Sequence, residues 1–374
     1  MKEGWKTRPF EDCILHVVYT PKVQRKDFLE KGQHPIVSQE VAFINGYWDD
    51  DTALYRVDRP VIIFGDHTKV LKYVDFDFVI GADGVKILLP KEFLSTKFFY
   101  YQLQSVNLDS LGYARHYKLL KSINIRYTQF PEQQRIVALL DDAFDGIATA
   151  KANAEQNLKN ARELFESHLQ AVFTQRGEGW EGKTLRQVAV DFGRGKSKHR
   201  PRNAPKLYGG PYPFIQTGDV RNSEHLITEY TQTYSEAGLA QSKLWPKGTL
   251  CITIAANIAE TGILNFDACF PDSVIGIVVD DKHTSNHFLE YLLQAVKAAL
   301  KAKGKGSAQD NINLGTFENE LFFFPSLSVQ EEITKQLDDL STEVQRLESI
   351  YQQKQAALDE LKKSLLHKAF SGEL

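Results

Sequence analysis

Toward the end of the chain apolar side chains return at alternating spacings of four and three: Ile333, Leu337, Leu340, Val344, Leu347, Tyr351, Leu358, Leu361 and Leu365, with Lys354 on the same stripe. Such a stripe keeps one face of a helix turned toward a partner helix, so a long paired helix is predicted here. A second stripe in the same phase runs through Ile136, Leu140, Ala143, Ile147, Ala150, Ala154, Asn157, Ala161, Leu164 and His168. At 1.5 Å per residue each helix reaches roughly 60 Å, far more than a small domain needs. The alanine-rich stripe allows close approach by the stripe of larger side chains, so each helix is the natural partner of the other. Asn157 and Lys354 occupy one seam position in both copies. Either they set register, as single polar seam residues do, or they border a solvated gap.

The two stripes belong to one unit written twice. Residues 133–173 align with 330–370 without a gap at an offset of 197 (330 minus 133), with Gln133/Gln330, Ile136/Ile333, Leu140/Leu337, Asp141/Asp338, Leu169/Leu366 and Phe173/Phe370 among the identities. A segment of mixed pattern precedes each helix, and each segment opens on Gly-Trp, at Gly4-Trp5 and Gly179-Trp180. Runs of β-branched and aromatic residues, such as 60–64, 78–80, 85–89, 249–254 and 274–279, read as strands. Helical stretches follow near 97–105 and 287–303. The predicted organisation is a domain over 1–128, a helix over 129–176, a second domain over 177–325 and a second helix over 326–374. The fold class is α+β: two mixed α/β domains joined by two long helices that pair as an antiparallel coiled coil, with a pseudo-twofold internal repeat. Antiparallel pairing would carry the domains to opposite ends, a geometry suited to two separated DNA half-sites.

Composition narrows the classes. The chain is 42% hydrophobic and 25% charged, with a net charge of -3. No apolar run approaches the roughly 18 residues of a membrane span, so no membrane contact is expected. Three widely spaced cysteines, Cys13, Cys251 and Cys269, suit neither a disulfide framework nor a zinc cage, and the expected location is the reducing cytoplasm. Catalytic signatures fail on inspection. Gly193-Arg-Gly-Lys-Ser197 lacks the first glycine of a phosphate loop, where Val190 stands. HExxH, paired CxxC, GxSxG and a strand-borne GxGxxG are absent from the sequence. No catalytic residue, metal ligand or bound cofactor is expected in this chain.

The slightly acidic total hides basic loops. Between Phe192 and Gly218 there is no Asp or Glu, while Arg194, Lys196, Lys198, His199, Arg200, Arg202 and Lys206 accumulate among Gly and Pro. That density suits phosphate contacts, although a solvated loop would read the same way. Arg115, His116, Tyr117 and Lys118 in the first half, and Lys305, Gln309 and Asn311 in the second, stand in loops leading to the long helices. His67, Thr68, Lys69, Gln216 and Asn257 mark polar interruptions between strands. Asn, Gln, Arg and His are the groups that read base edges in the major groove. Each could equally be a turn residue bonded to its own backbone.

Together these segments resemble the specificity subunit of type I restriction-modification enzymes, over essentially the whole chain. Pro131-Glu-Gln-Gln-Arg135 resembles the start of the family's first conserved helix, and Leu361 to Leu374 looks like its C-terminal run. Residues 64–68 and 78–85, and residues 213–220 and 270–274, look like its target-recognition sequences. Leu327-Ser-Val-Gln-Glu331 departs from the usual proline-rich helix start. The resemblance implies a non-catalytic reader of double-stranded DNA with two methyltransferase (M) subunits and restriction (R) subunits as partners. S-adenosylmethionine, ATP and Mg2+ would act on those partners. It also implies that each domain reads one half of a bipartite, asymmetric target while the helices set the spacer. Two other readings stay open: the target-recognition subunit of a related bipartite system with a fused nuclease-methyltransferase, and a coiled-coil protein tether.

Overall fold

Two helices of 45 residues, Phe130–Thr174 and Leu327–Ser371, carry the repeated sequence. The structure is a computed structural model and describes residues 4–81, 84–109, 112, 114–255, 258–304 and 314–374. It divides into two compact units, one made of Met1–Gln156 with Tyr351–Leu374, the other of Asn157–Ile350. Each unit therefore contains one α/β domain and a stretch of both long helices.

In the first unit an antiparallel sheet runs in the order Ile14–Leu15, Val85–Pro90, Val61–Gly65, Leu71–Val74. A second sheet has the order Gly46–Trp48, His34–Val37, Phe78–Ile80, Leu54–Tyr55, with its two middle strands parallel. Strand Val61–Gly65 is buried along its whole length. Successive side chains of a strand face opposite ways, so an unbroken apolar run serves two cores. Ile62 and Phe64 join Phe98, Phe99, Ile136, Leu140, Leu366 and Phe370. Val61 and Ile63 join Val37, Phe78, Ile80 and Val85.

The second unit repeats the logic. A five-stranded sheet has the order Ala189–Arg194, Val274–Val279, Leu250–Thr253, Thr261–Leu264, Leu226–Ile227. A four-stranded sheet is built from Tyr208–Phe214, Gln232–Tyr234, Leu244–Trp245 and Ala268–Cys269. In the fully buried strand Leu250–Thr253, Leu250 and Ile252 pack with Phe288 and Leu337, whereas Cys251 packs with Trp245 and Phe270.

The repeated residues are those that grip the helices. Gln133 is fully buried; its amide donates to the carbonyls of Phe93 and Thr128, both at 2.8 Å, and its carbonyl accepts from the Ser95 N–H at 2.8 Å. Gln330 likewise donates to the carbonyls of His283 and Pro325, at 2.9 and 3.0 Å. Buried backbone carbonyls of each domain thereby gain a donor from the helix, so a buried glutamine ties each helix start to its domain. Tyr101, on helix Thr96–Ser105, donates to Asp141, and Tyr291, on helix Asn286–Gly304, donates to Asp338 at 2.7 Å.

The far end of each helix is held in the same way but by exchange. Phe370 of the C-terminal helix lies 5.1 Å from Phe98 between ring centroids, with Trp5 next in line. Phe173 of the central helix lies 5.5 Å from Phe288, with Trp180 beside both. Each unit thus binds the start of one helix copy and the end of the other. The helix segments run antiparallel within each unit: Ile136 and Leu140 share a core with Leu366 and Phe370 while Lys151 bonds Asp359, and in the second unit Arg162 pairs with Glu348 at 2.5 Å.

The seam departs from the predicted heptad in its later part. Ile136, Leu140, Ile147, Leu337 and the half-buried Ile333, Leu340, Val344, Leu347, Leu358 and Leu365 do face inward. Leu164 and Leu361, expected in the seam, are 62% and 47% exposed, and Phe165 and Lys362 take the inward places. Asn157 and Lys354 are exposed as well, so neither tunes register from within a seam; Leu158 and Gln355 point inward instead. A straight helix drifts about 20° per heptad against a 3.5-residue repeat. After four heptads the inward face has moved by about 80°, most of the roughly 100° between successive residues, and the facing positions Ile136, Ile147, Leu158 and Leu169 follow an 11-residue repeat.

Candidate nucleic-acid interface

In the first unit the polar loop after strand Val61–Gly65 turns sharply: Gly65 and Lys69 close it through backbone bonds of 2.8 Å, with Lys69 at φ 61°. Asp66 is buried and staples this loop to the next one. Its carbonyl accepts from the His116 backbone at 2.7 Å and lies 3.0 Å from the ring Nδ1, while its carboxylate accepts from the Tyr117 N–H at 2.8 Å. His116 is consequently buried and does not reach the surface as a base-reading group, contrary to expectation. Tyr117 is half-buried against Phe10 and Phe64, and burial raises its phenol above the usual range. Arg115, Lys118 and Thr68 are exposed, His67 is half-buried, and the Lys69 ammonium donates to the Leu108 carbonyl at 3.1 Å.

A neighbouring loop completes this surface and was not singled out in the sequence. Gln39 accepts from Thr68 Oγ1 at 2.6 Å through its backbone and from the His67 N–H at 3.2 Å through its side chain. Beyond it, residues 41–44 carry exposed Val41, Phe43 and Ile44. Their apolar character reads as a strand along the chain; only the turn at 39–43 puts them outside.

In the second unit the cationic loop is pinned at several points. Gly195 passes so close to the Phe270 carbonyl that an added Cβ would lie 2.1 Å from it, which explains the glycine. Ser242 donates to the Lys196 carbonyl at 2.8 Å, Gln241 accepts from the His199 N–H at 3.0 Å, and Arg202 pairs with Asp272 at 2.8 Å. Arg200 braces its own turn through the carbonyls of Ser197 and His199, at 2.7 and 2.8 Å. Arg194, Lys196, Lys198, Arg200 and Arg202 are all exposed. The loop is therefore a preformed cationic ridge, with part of the Arg202 charge already answered by Asp272. Gln216 is half-buried and caps the short helix Thr217–Asn222, its N–H bonding Asp219 at 2.8 Å. Asn257, Lys305, Gln309 and Asn311 lie outside the described residues. Among the described residues, no group of three or more His, Cys, Asp and Glu could hold a metal, and no helix is long and apolar enough to cross a membrane.

Exposed basic and polar loops on two unlike α/β units, each gripping both copies of a repeated helix, have the build of a DNA-sequence reader. Residues 177–355 match the family model of the type I restriction modification DNA specificity domain. The specificity subunit of the type I restriction enzyme EcoR124I/EcoR124II from Escherichia coli is 24% identical over 352 residues, with 86% of this chain and 82% of that protein covered. A chain from a structural study of complex assembly and conformational transition of the type I R-M system superposes with a TM-score of 0.78 at 20% identity, covering 100% of this chain and 99% of the other. The HsdS subunit from Thermoanaerobacter tengcongensis gives 0.61 at 18% identity, covering 100% and 98%. Residues 177–355 thus match a DNA specificity domain of the type I restriction-modification kind, and most of the chain is similar to a specificity subunit of such an enzyme.

Proposed function

We propose that each unit reads one half of a bipartite, asymmetric DNA target, and that the paired helices set the unread spacer and offer faces to two methyltransferase subunits. Restriction subunits would join that core in the cytoplasm, with S-adenosylmethionine, ATP and Mg2+ acting on the partner subunits. One observation carries this reading. The residues common to the two units (Gln133/Gln330, Tyr101/Tyr291, Phe98/Phe288, Phe173/Phe370) hold the helices, whereas the loops available to DNA differ between them. A conserved grip with unlike reading loops suits two unlike half-sites. The test is to co-express the chain with the methyltransferase subunit of its own genome and map methylated bases. A split, asymmetric motif that vanishes without this chain is expected; an unsplit motif, or none, would refute the assignment.

A further inference from the structure

The loop 39–45 joins strands His34–Val37 and Gly46–Trp48 and breaks the ordinary rule for surface loops, since Val41, Phe43 and Ile44 are 87%, 46% and 40% exposed. Three apolar side chains in four residues are costly to leave in water, and a loose loop would fold them inward. This loop is not loose. The side chain of Lys72, itself 3% exposed, donates to the carbonyls of Ala42 and Phe43 at 2.5 and 3.3 Å and to Asn45 Oδ1 at 3.1 Å. Asn45 Oδ1 also accepts from the Ser38 N–H at 2.9 Å. The backbone is drawn inward, Val41 and Ile44 are left outward, and Phe43 stays about half exposed with its ring 6.0 Å from that of Phe76. Burial lowers the Lys72 ammonium to about 8, so the anchor itself is held at a cost. The loop is continuous with the candidate interface through Gln39, which bonds the loop carrying His67 and Thr68, and an Arg25–Glu40 ion pair of 3.1 Å lies at its edge.

We propose that Val41, Phe43 and Ile44 form a rigid apolar finger that contacts thymine methyl groups in the major groove of the half-site read by the first unit. The thymine C5 methyl is the apolar feature of that groove, and the adjoining loops supply polar and cationic groups for neighbouring base edges and phosphates. The proposal rests on the DNA-reading assignment above and adds a base preference to it: that half-site contains an A·T pair whose recognition depends on the finger.

The test uses the full chain with Val41→Ser, Phe43→Ser and Ile44→Ser combined, co-expressed with its methyltransferase subunit, and maps methylation genome-wide. Discrimination at one or two A·T positions of a single half-site should fall about tenfold, the scale of one lost base contact, with the other half-site unchanged. Phe43→Leu, which keeps the apolar surface, should retain the motif. An unchanged motif at unchanged methylation, or a half-site without A·T pairs, overturns the finger while leaving the DNA-reading assignment intact. Loss of methylation because the variant no longer co-purifies with the methyltransferase subunit, at wild-type melting temperature, would make the loop a protein-docking surface and overturn it too. Absence of methylation by the wild-type complex removes the underlying assignment and the finger together.

Discussion

Gln133→Met keeps the volume of a fully buried side chain and deletes its polar atoms. Three partners lose their bonds: the carbonyls of Phe93 and Thr128 and the N–H of Ser95, each now at 2.8 Å from the glutamine. A buried polar group left unpaired costs about 1–3 kcal/mol, partly offset by the easier burial of a thioether. The expected loss is therefore about 3 kcal/mol, a large share of the 5–15 kcal/mol typical of a domain. Gln330→Met strips only two carbonyl partners, His283 and Pro325, and should cost about 1 kcal/mol less. Urea unfolding checks both, followed by tryptophan fluorescence, to which Trp5 and Trp48 contribute from the first unit and Trp180 and Trp245 from the second. A loss below about 0.5 kcal/mol for Gln133→Met, the scale of an ordinary surface change, would refute the view that these glutamines tie the helices to their domains.

Leu140→Ala and Leu337→Ala, which empty buried seam positions, should each cost about 3 kcal/mol by thermal or urea unfolding, whereas Leu164→Ala and Leu361→Ala should each stay within about 0.5; equal effects would restore the heptad seam. His225 lies 2.9 Å from the buried Glu290 carboxylate, a contact that raises the histidine pKa above 6.5. The stabilisation it gives is complete below that ordinary value and fades as pH rises through the raised folded one. The stability gap between wild type and His225→Ala, about 2 kcal/mol in weakly acidic buffer, should narrow as pH rises above the ordinary histidine value; a gap that widens with pH would contradict the pairing. Replacing Lys196 and Lys198 with Ala should weaken binding across DNA sequences and lower the salt slope by about 2, and an unaltered slope would exclude the ridge from phosphate contact. Inserting a few residues into both long helices should change the spacer of the methylation motif while leaving both half-sites alone, and an unchanged spacer would rule out the helices as its ruler.

The duplicated helices and the strands were legible because their signals are periodic and local. A stripe returning every three or four residues, a gapless repeat at offset 197 and unbroken β-branched runs need no knowledge of what lies across from them. The repeated Gln133 and Gln330 were visible as identities, but their purpose was not, since the carbonyls they satisfy at Phe93 and His283 lie 40 and 47 residues away along the chain. The seam went astray where a 3.5-residue repeat was extrapolated along a helix of about 3.6 residues per turn: the small angular error per turn accumulated until Leu164 and Leu361 had rotated out and Phe165 and Lys362 in. At the interface, chemistry was legible by residue type and accessibility was not. Arg115 and His116 are adjacent in sequence, yet the turn that exposes Arg115 buries His116 against Asp66. Val41, Phe43 and Ile44 show the converse, an apolar run that composition assigns to a core and that the distant Lys72, by holding the loop's carbonyls, keeps outside. Periodic patterns were set by the chain alone; which side chain meets solvent, and which is buried, depended on partners brought together only when the chain folded.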